Sequence, residues 1–171
     1  MISPGSRPPA PKANPRPSSA TITLSNGELL NENLAKALPT LDHELLLRAT
    51  RQLQISTYAP GEPIILPGTE PDNFYVVING EADVLLDRDG ALIQIDKLGP
   101  NQFFGEIALV NGGQRTALVR ASDRTAVEVA ALGRDPFLEI VNASKDTLST
   151  LGQVIQQRLN RQSLALDSRG I

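Results

Sequence analysis

Residues 59–86 read APGEPIILPGTEPDNFYVVINGEADVLL. Three apolar runs, PIILP (63–67), FYVVI (74–78) and ADVLL (82–86), are each bounded by Gly, Pro, Asn or Asp. Short runs rich in β-branched and aromatic residues, punctuated in this way, are strands separated by turns. The pattern continues with LIQID (92–96), TALVRA (116–121) and TAVEVAAL (125–132), and DRDG and KLGPNQ serve as further breaks. Asn79-Gly80 and Asp89-Gly90 are good tight-turn pairs, because both residue types accept positive φ. Roughly eight strands at regular spacing predict a mainly β fold, an antiparallel barrel or jelly roll.

Outside this region the period changes from two to nearly four. Leu30, Leu34 and Leu38 recur at helical spacing until Pro39 stops the first helix. Thr40 is expected to cap a second, with Asp42 and Glu44 in its first turn and Leu41, Leu45, Ala49 and Leu53 on one face. His43 lies at this helix start and is expected to be partly exposed. Downstream, DPFLEIVNAS (135–144) predicts a short helix and KDTLSTLGQVIQQRLNRQSLAL (145–166) a longer one. Leu148, Leu151, Ile155, Leu159 and Leu166 are expected on one face, packed on the β body or against a partner helix.

Composition narrows the chemistry. The 171 residues contain no Cys and a single His, His43, which excludes disulfides, thiolate nucleophiles and His-rich metal sites. A net charge of −3 argues against a polyanion-binding surface. No apolar run approaches the ~20 residues of a membrane span, so a cytoplasmic, soluble chain is expected. The first seventeen residues hold six prolines and three basic residues but no acid, a composition expected to stay disordered.

One segment carries charge in an apolar setting: FFGEIALVNGGQRTALVR, residues 103–120. Between Phe104 and Thr116 there is room for one short helical turn from Glu106 to Val110. At its start the backbone N–H groups of Ile107 and Ala108 would favour an anion. Gly105 would let a ligand approach the backbone closely. The loop NGGQ would return Arg115 to the same place, where its planar fork suits a pair of phosphate oxygens, with Thr116 adding a hydroxyl. A structural ion pair between Glu106 and Arg115 is the alternative reading.

FGEIALVNGGQRTALV strongly resembles the phosphate-binding cassette of cyclic-nucleotide-binding domains, the β-roll family of protein kinase A regulatory subunits and the bacterial catabolite activator. Gly61, Gly68, Asp72 ahead of Phe74-Tyr75, and Gly80 match that family's upstream pattern. Phe137 and Leu138 fit its short helix, and Lys145 to Leu166 its terminal helix. The resemblance covers about residues 40–165. Together with the composition and periodicity above, it divides the chain into an expected disordered Pro-rich tail at 1–27, N-terminal helices at 28–54, an eight-stranded β-roll at 55–134, C-terminal lid helices at 135–166 and a tail at 167–171.

The resemblance also implies roles. Glu106 would hold the ribose 2′-hydroxyl and Gly105 would lie against the sugar. Arg115 would bind the cyclic phosphate with Thr116 and the amides of Ile107 and Ala108, while Leu109 would line the pocket. Arg158, Gln162 and Ser163 are candidate lid residues over the base. Thr116 is compatible with cAMP or cGMP, with cAMP slightly favoured. The expected function is a non-enzymatic cyclic-nucleotide sensor that signals by moving its C-terminal helix, with no metal or further cofactor. The alternative is a scaffold protein whose β-roll no longer binds nucleotide. Five residues follow Leu166 in this sequence, too few for a helix-turn-helix, so the output is expected through an effector protein or a homodimer rather than DNA or a membrane.

Overall fold

A computed structural model describes residues 27–167. Two helices, α1 (Gly27–Ala37) and α2 (His43–Thr50), lead into strands β1 (Gln54–Tyr58), β2 (Pro63–Ile65), β3 (Asn73–Asn79), β4 (Ala82–Arg88), β5 (Ala91–Leu98) and β6 (Phe103–Phe104). A short helix, α3 (Glu106–Asn111), separates these from β7 (Leu118–Ala121) and β8 (Val127–Gly133). Helices α4 (Arg134–Asn142) and α5 (Lys145–Asp167) follow. The Pro-rich leader read at the N-terminus and the tail after Asp167 lie outside the described residues.

The strands form two four-stranded antiparallel sheets, ordered β1-β8-β3-β6 and β2-β7-β4-β5. This is the expected eight-stranded β-roll with flanking helices. The unbroken apolar run of β3 has a physical cause. Tyr75 and Val77 enter the core between the sheets, with Val127, Val129 and Leu98, whereas Phe74 and Val76 pack on the helices with Leu132, Phe137 and Leu151. The first sheet is covered on both faces, so β3 does not alternate. Phe74 stacks on Phe137, with ring centroids 4.5 Å apart, and so joins β3 to α4.

Several local expectations are corrected. Asp42, not Thr40, caps α2: its Oδ1 accepts from Leu45 N–H at 2.8 Å, while the Thr40 hydroxyl meets that of Thr147 at 2.7 Å. Thr40 therefore ties the α1–α2 link to the first turn of α5. Asp89 and Gly90 both have positive φ and close a two-residue β4–β5 hairpin. Asn79-Gly80 does not join a hairpin, because β3 and β4 belong to different sheets. On α5, Leu151 and Ile155 are buried, but Leu148 and Leu166 are exposed, so the apolar stripe covers only the middle of the helix. His43, the first residue of α2, is exposed as expected. Among the described residues, no helix is long and apolar enough to cross a membrane.

Candidate functional site

The charged segment forms one wall of a cavity of about 260 Å³ between the inner face of the second sheet, α3 and α5. Its apolar floor includes Ile65, Val84, Leu98 and Val119. Helix α3 begins at Glu106, as the spacing predicts, and is preceded by Gly105 at φ 89°. A Cβ on Gly105 would lie 2.9 Å from the Asn73 carbonyl oxygen and 3.3 Å from Arg115 Nη1. Only glycine fits both that conformation and that approach.

Arg115 is positioned from two sides by residues remote in sequence. Its backbone N–H donates to Thr69 O at 2.9 Å and its carbonyl accepts from Gly68 N–H at 2.8 Å. The loop after β2 thus fixes the start of the segment entering β7. Arg115 is 5% exposed; its Nη1 donates to Gly105 O at 2.6 Å, and Nη2 donates to Asn73 O at 2.7 Å. Asp72 lies 3.5 Å from Nη2. Nε is buried without a partner, and such a donor costs free energy unless something accepts from it. Burial pulls the Arg115 pKa down, and Tyr75, Asp72 and Glu106 oppose that shift.

Glu106 does not pair with Arg115. Its carboxylate, 1% exposed, accepts from Arg158 Nη1 at 2.6 Å. Arg158 comes from α5, donates also to Phe103 O at 2.8 Å, and lies over the Phe103 ring. Burial pushes the Glu106 pKa up, while Arg158 chiefly holds it down. One turn further along α5, Arg161 meets Asp96 of β5 at 2.8 Å. Two arginines on one face of α5 therefore grip two acids of the β-roll across the cavity.

Gly105, Glu106, Ile107, Ala108, Arg115 and Thr116 all line this cavity, and from α5 so do Arg158 and Gln162. Two expectations are corrected. Leu109 turns into the helical core with Phe74 and Phe137 instead of the cavity, because α3 must bury its inner face against α4 and β3. Ser163 is exposed and outside the cavity lining, whereas Gln162 next to it faces in. Asp96 and Arg161 escaped the sequence reading. Only the acid at the end of the apolar run LIQID hinted at the first.

The Glu106–Arg158 pair yields a test. Arg158→Ala leaves a buried carboxylate without its cation, expected to cost ~2 kcal/mol at neutral pH. Without Arg158 the Glu106 pKa rises further above its ordinary value of 4.5. A raised acid contributes stability fully present below that ordinary value and lost as pH rises through the folded value. The melting-temperature gap between variant and wild type should therefore be small at about pH 4.5 and widen by pH 7.5. An equal gap at both would show that the carboxylate does not depend on Arg158.

A family model described as the cyclic nucleotide-binding domain matches residues 55–144. The cAMP-dependent protein kinase regulatory subunit of Mucor circinelloides f. lusitanicus is 29% identical over 130 residues, 76% of this chain and 29% of that protein. The chain thus spans less than a third of that curated relative. Among solved structures, the regulatory domain of Toxoplasma gondii PKA with cAMP has a TM-score of 0.66 at 27% identity, covering 72% of this chain and 46% of that one. A regulatory subunit of a cAMP-independent protein kinase A from Trypanosoma brucei also gives 0.66, at 26% identity, covering 78% and 51%. That structure is a triple mutant bound to cAMP: Glu to Ala, Thr to Arg seven positions later, and the next Val to Ala.

Proposed function

The chain belongs to the cyclic nucleotide-binding domain family, and from that membership we propose that it is a non-enzymatic regulatory module that binds cAMP or cGMP and signals through its C-terminal helix. The observation that carries this reading is the presence of two buried charges, Glu106 and Arg115, on the wall of one cavity without a bond between them. Arg115 has a buried N–H still to donate, which suits a phosphate oxygen. Glu106 accepts hydrogen bonds and suits a ribose hydroxyl. Gly105 keeps the wall between them thin, and Ile107, Ala108 and Thr116 complete the cradle.

The Trypanosoma brucei variant bound to cAMP carries an introduced Ala and, seven positions later, an introduced Arg. Here Ala108 and Arg115 stand at the same spacing. The third introduced residue, an Ala directly after the Arg, is Thr116 here, and the agreement at the other two favours a phosphate-bearing ligand. The neighbour solved with cAMP and the relative named as cAMP-dependent make cAMP the first nucleotide to try.

Coupling to output follows from the grip on Glu106. A ribose hydroxyl and Arg158 compete for, or share, one carboxylate, so occupancy changes what holds α5. A ligand shifts that balance only by its differential affinity for the two arrangements. The end of α5 exposes Leu164 and Leu166, which fits an output through an effector protein or a second copy, in a cytoplasmic setting.

Melting curves test the reading. At a hundredfold excess over the dissociation constant, ligand adds about 2.7 kcal/mol, expected to raise the melting temperature by roughly 5–10 °C for a chain of this size. Flat curves with both cAMP and cGMP would favour the scaffold alternative.

A further inference from the structure

We propose that a second cavity, sharing no residue with the first, binds a free amino acid with a primary carboxamide side chain, of the glutamine or asparagine type. This cavity of about 210 Å³ opens between α1, the end of β3 and the turn between β5 and β6. It is lined by Glu32, Asn33, Lys36, Ile78, Asn79 and Asn101, none of which lines the cavity described above.

Local structure explains why three asparagines meet there. Helix α1 buries Leu30, Leu34 and Leu38, which leaves Glu32, Asn33 and Lys36 on its flank. On β3 the register with β8 shifts between Val77 and Asn79, so Ile78 is passed over in the pairing. Such a bulge re-aims side chains, and Ile78 and Asn79 both line the cavity although they are consecutive. Asn101 has φ 71°, a left-handed conformation that Asn tolerates, and its N–H donates to Val77 O at 2.8 Å. Held in this way, it meets α1: Asn33 Nδ2 donates to Asn101 Oδ1 at 2.7 Å.

That bond uses only half of each amide. Asn33 Oδ1 is buried and has no partner among the described residues, and the Asn101 amide group can still donate. A buried acceptor left empty costs free energy and asks for a donor. Turning both carboxamides by half a turn reverses their roles, but again leaves one donor beside one acceptor. The complement in either case is another amide. Asn79 makes it a primary one: its Nδ2 is taken by Glu128 Oε1 at 3.1 Å, which leaves Oδ1 to accept a second N–H.

The exposed end of the cavity carries one charge of each sign. Lys36 Nζ and Glu32 Oε1 lie 3.1 Å apart, with 56% and 63% of their side chains exposed. The zwitterionic end of an amino acid answers both, its ammonium donating to Glu32 and its carboxylate accepting from Lys36. The buried end is lined by neutral amides, so an uncharged carboxamide enters it where an ion would be desolvated without a counter-charge. Ile78 is the one apolar residue in the lining, which leaves little apolar surface for a hydrocarbon side chain.

Titration calorimetry of the full chain with glutamine, asparagine, glutamate and leucine tests this. Glutamine or asparagine should bind at least about tenfold more tightly than glutamate, whose side-chain oxygens leave Asn33 Oδ1 without a donor. Leucine, whose side chain has no polar group, should give no heat. Asn33→Ala should weaken the carboxamide ligand by about tenfold. Asn101→Gly keeps the left-handed turn but removes the amide; it should do the same, and it guards against misfolding of the first variant. None of these readouts depends on nucleotide binding. Equal affinities for glutamine and glutamate, or full affinity in both variants, would overturn the assignment. So would the absence of heat from every ligand up to about 10 mM, which would mean that water alone fills the cavity.

Discussion

Arg115→Ala is expected to weaken cyclic-nucleotide binding by ~2–5 kcal/mol, roughly thirtyfold to several thousandfold. The size follows from burial: Arg115 is 5% exposed, so a phosphate meeting its guanidinium is desolvated, and removal of one partner leaves the other charge unpaired. Arg115→Lys separates charge from geometry. It keeps the cation but loses the planar fork and the Nε donor, and should fall between alanine and wild type. Arg115 also bridges Gly105 O and Asn73 O, so the alanine variant should melt earlier as well. Affinities must be compared where both proteins are folded. A loss below about tenfold in the folded variant would place the phosphate elsewhere.

Gly80→Ala carries the largest expected effect on stability. Gly80 has φ 84°, and a Cβ there would lie 2.3 Å from the Ala126 carbonyl oxygen and 3.0 Å from Val127 Cα, both backbone atoms at the entry to β8. The left-handed conformation costs an alanine ~1–2 kcal/mol. Moving the β7–β8 connection aside costs ~1–3 kcal/mol more. Together these should lower the melting temperature by roughly 5–15 °C. Gly90→Ala is the control: its φ is 87°, but nothing lies within 4 Å of the added carbon. Equal losses at both positions would mean that the close backbone approach at Gly80 adds nothing.

Much of this architecture was legible because its causes are local. The runs PIILP, FYVVI, ADVLL and LIQID became β2, β3, β4 and β5, since alternation and flanking turn residues act over a few positions. The short helix at Glu106 follows likewise from Gly105 and the length of the segment. Two strands were less visible. β1, QISTY, has a mixed pattern with two buried residues, Ile55 and Tyr58, and gains its regularity from five paired positions on β8. β6 is two residues long, too short for any periodicity. The cap of α2 passed to Asp42 because Thr40 found a partner in Thr147, 107 residues away.

Read alone, the residue order was enough to specify the strand and helix inventory and the chemical types that meet at the cassette, because turn chemistry and burial periodicity are short-range. Tertiary packing alone decided which charge each acid faces. Arg158 and Arg161 reach Glu106 and Asp96 only because α5 folds back across the second sheet, and Leu109 leaves the cavity only because α3 must bury a face. Charges paired across 52 and 65 positions leave no periodic trace in a chain, since their meeting depends on how whole elements pack.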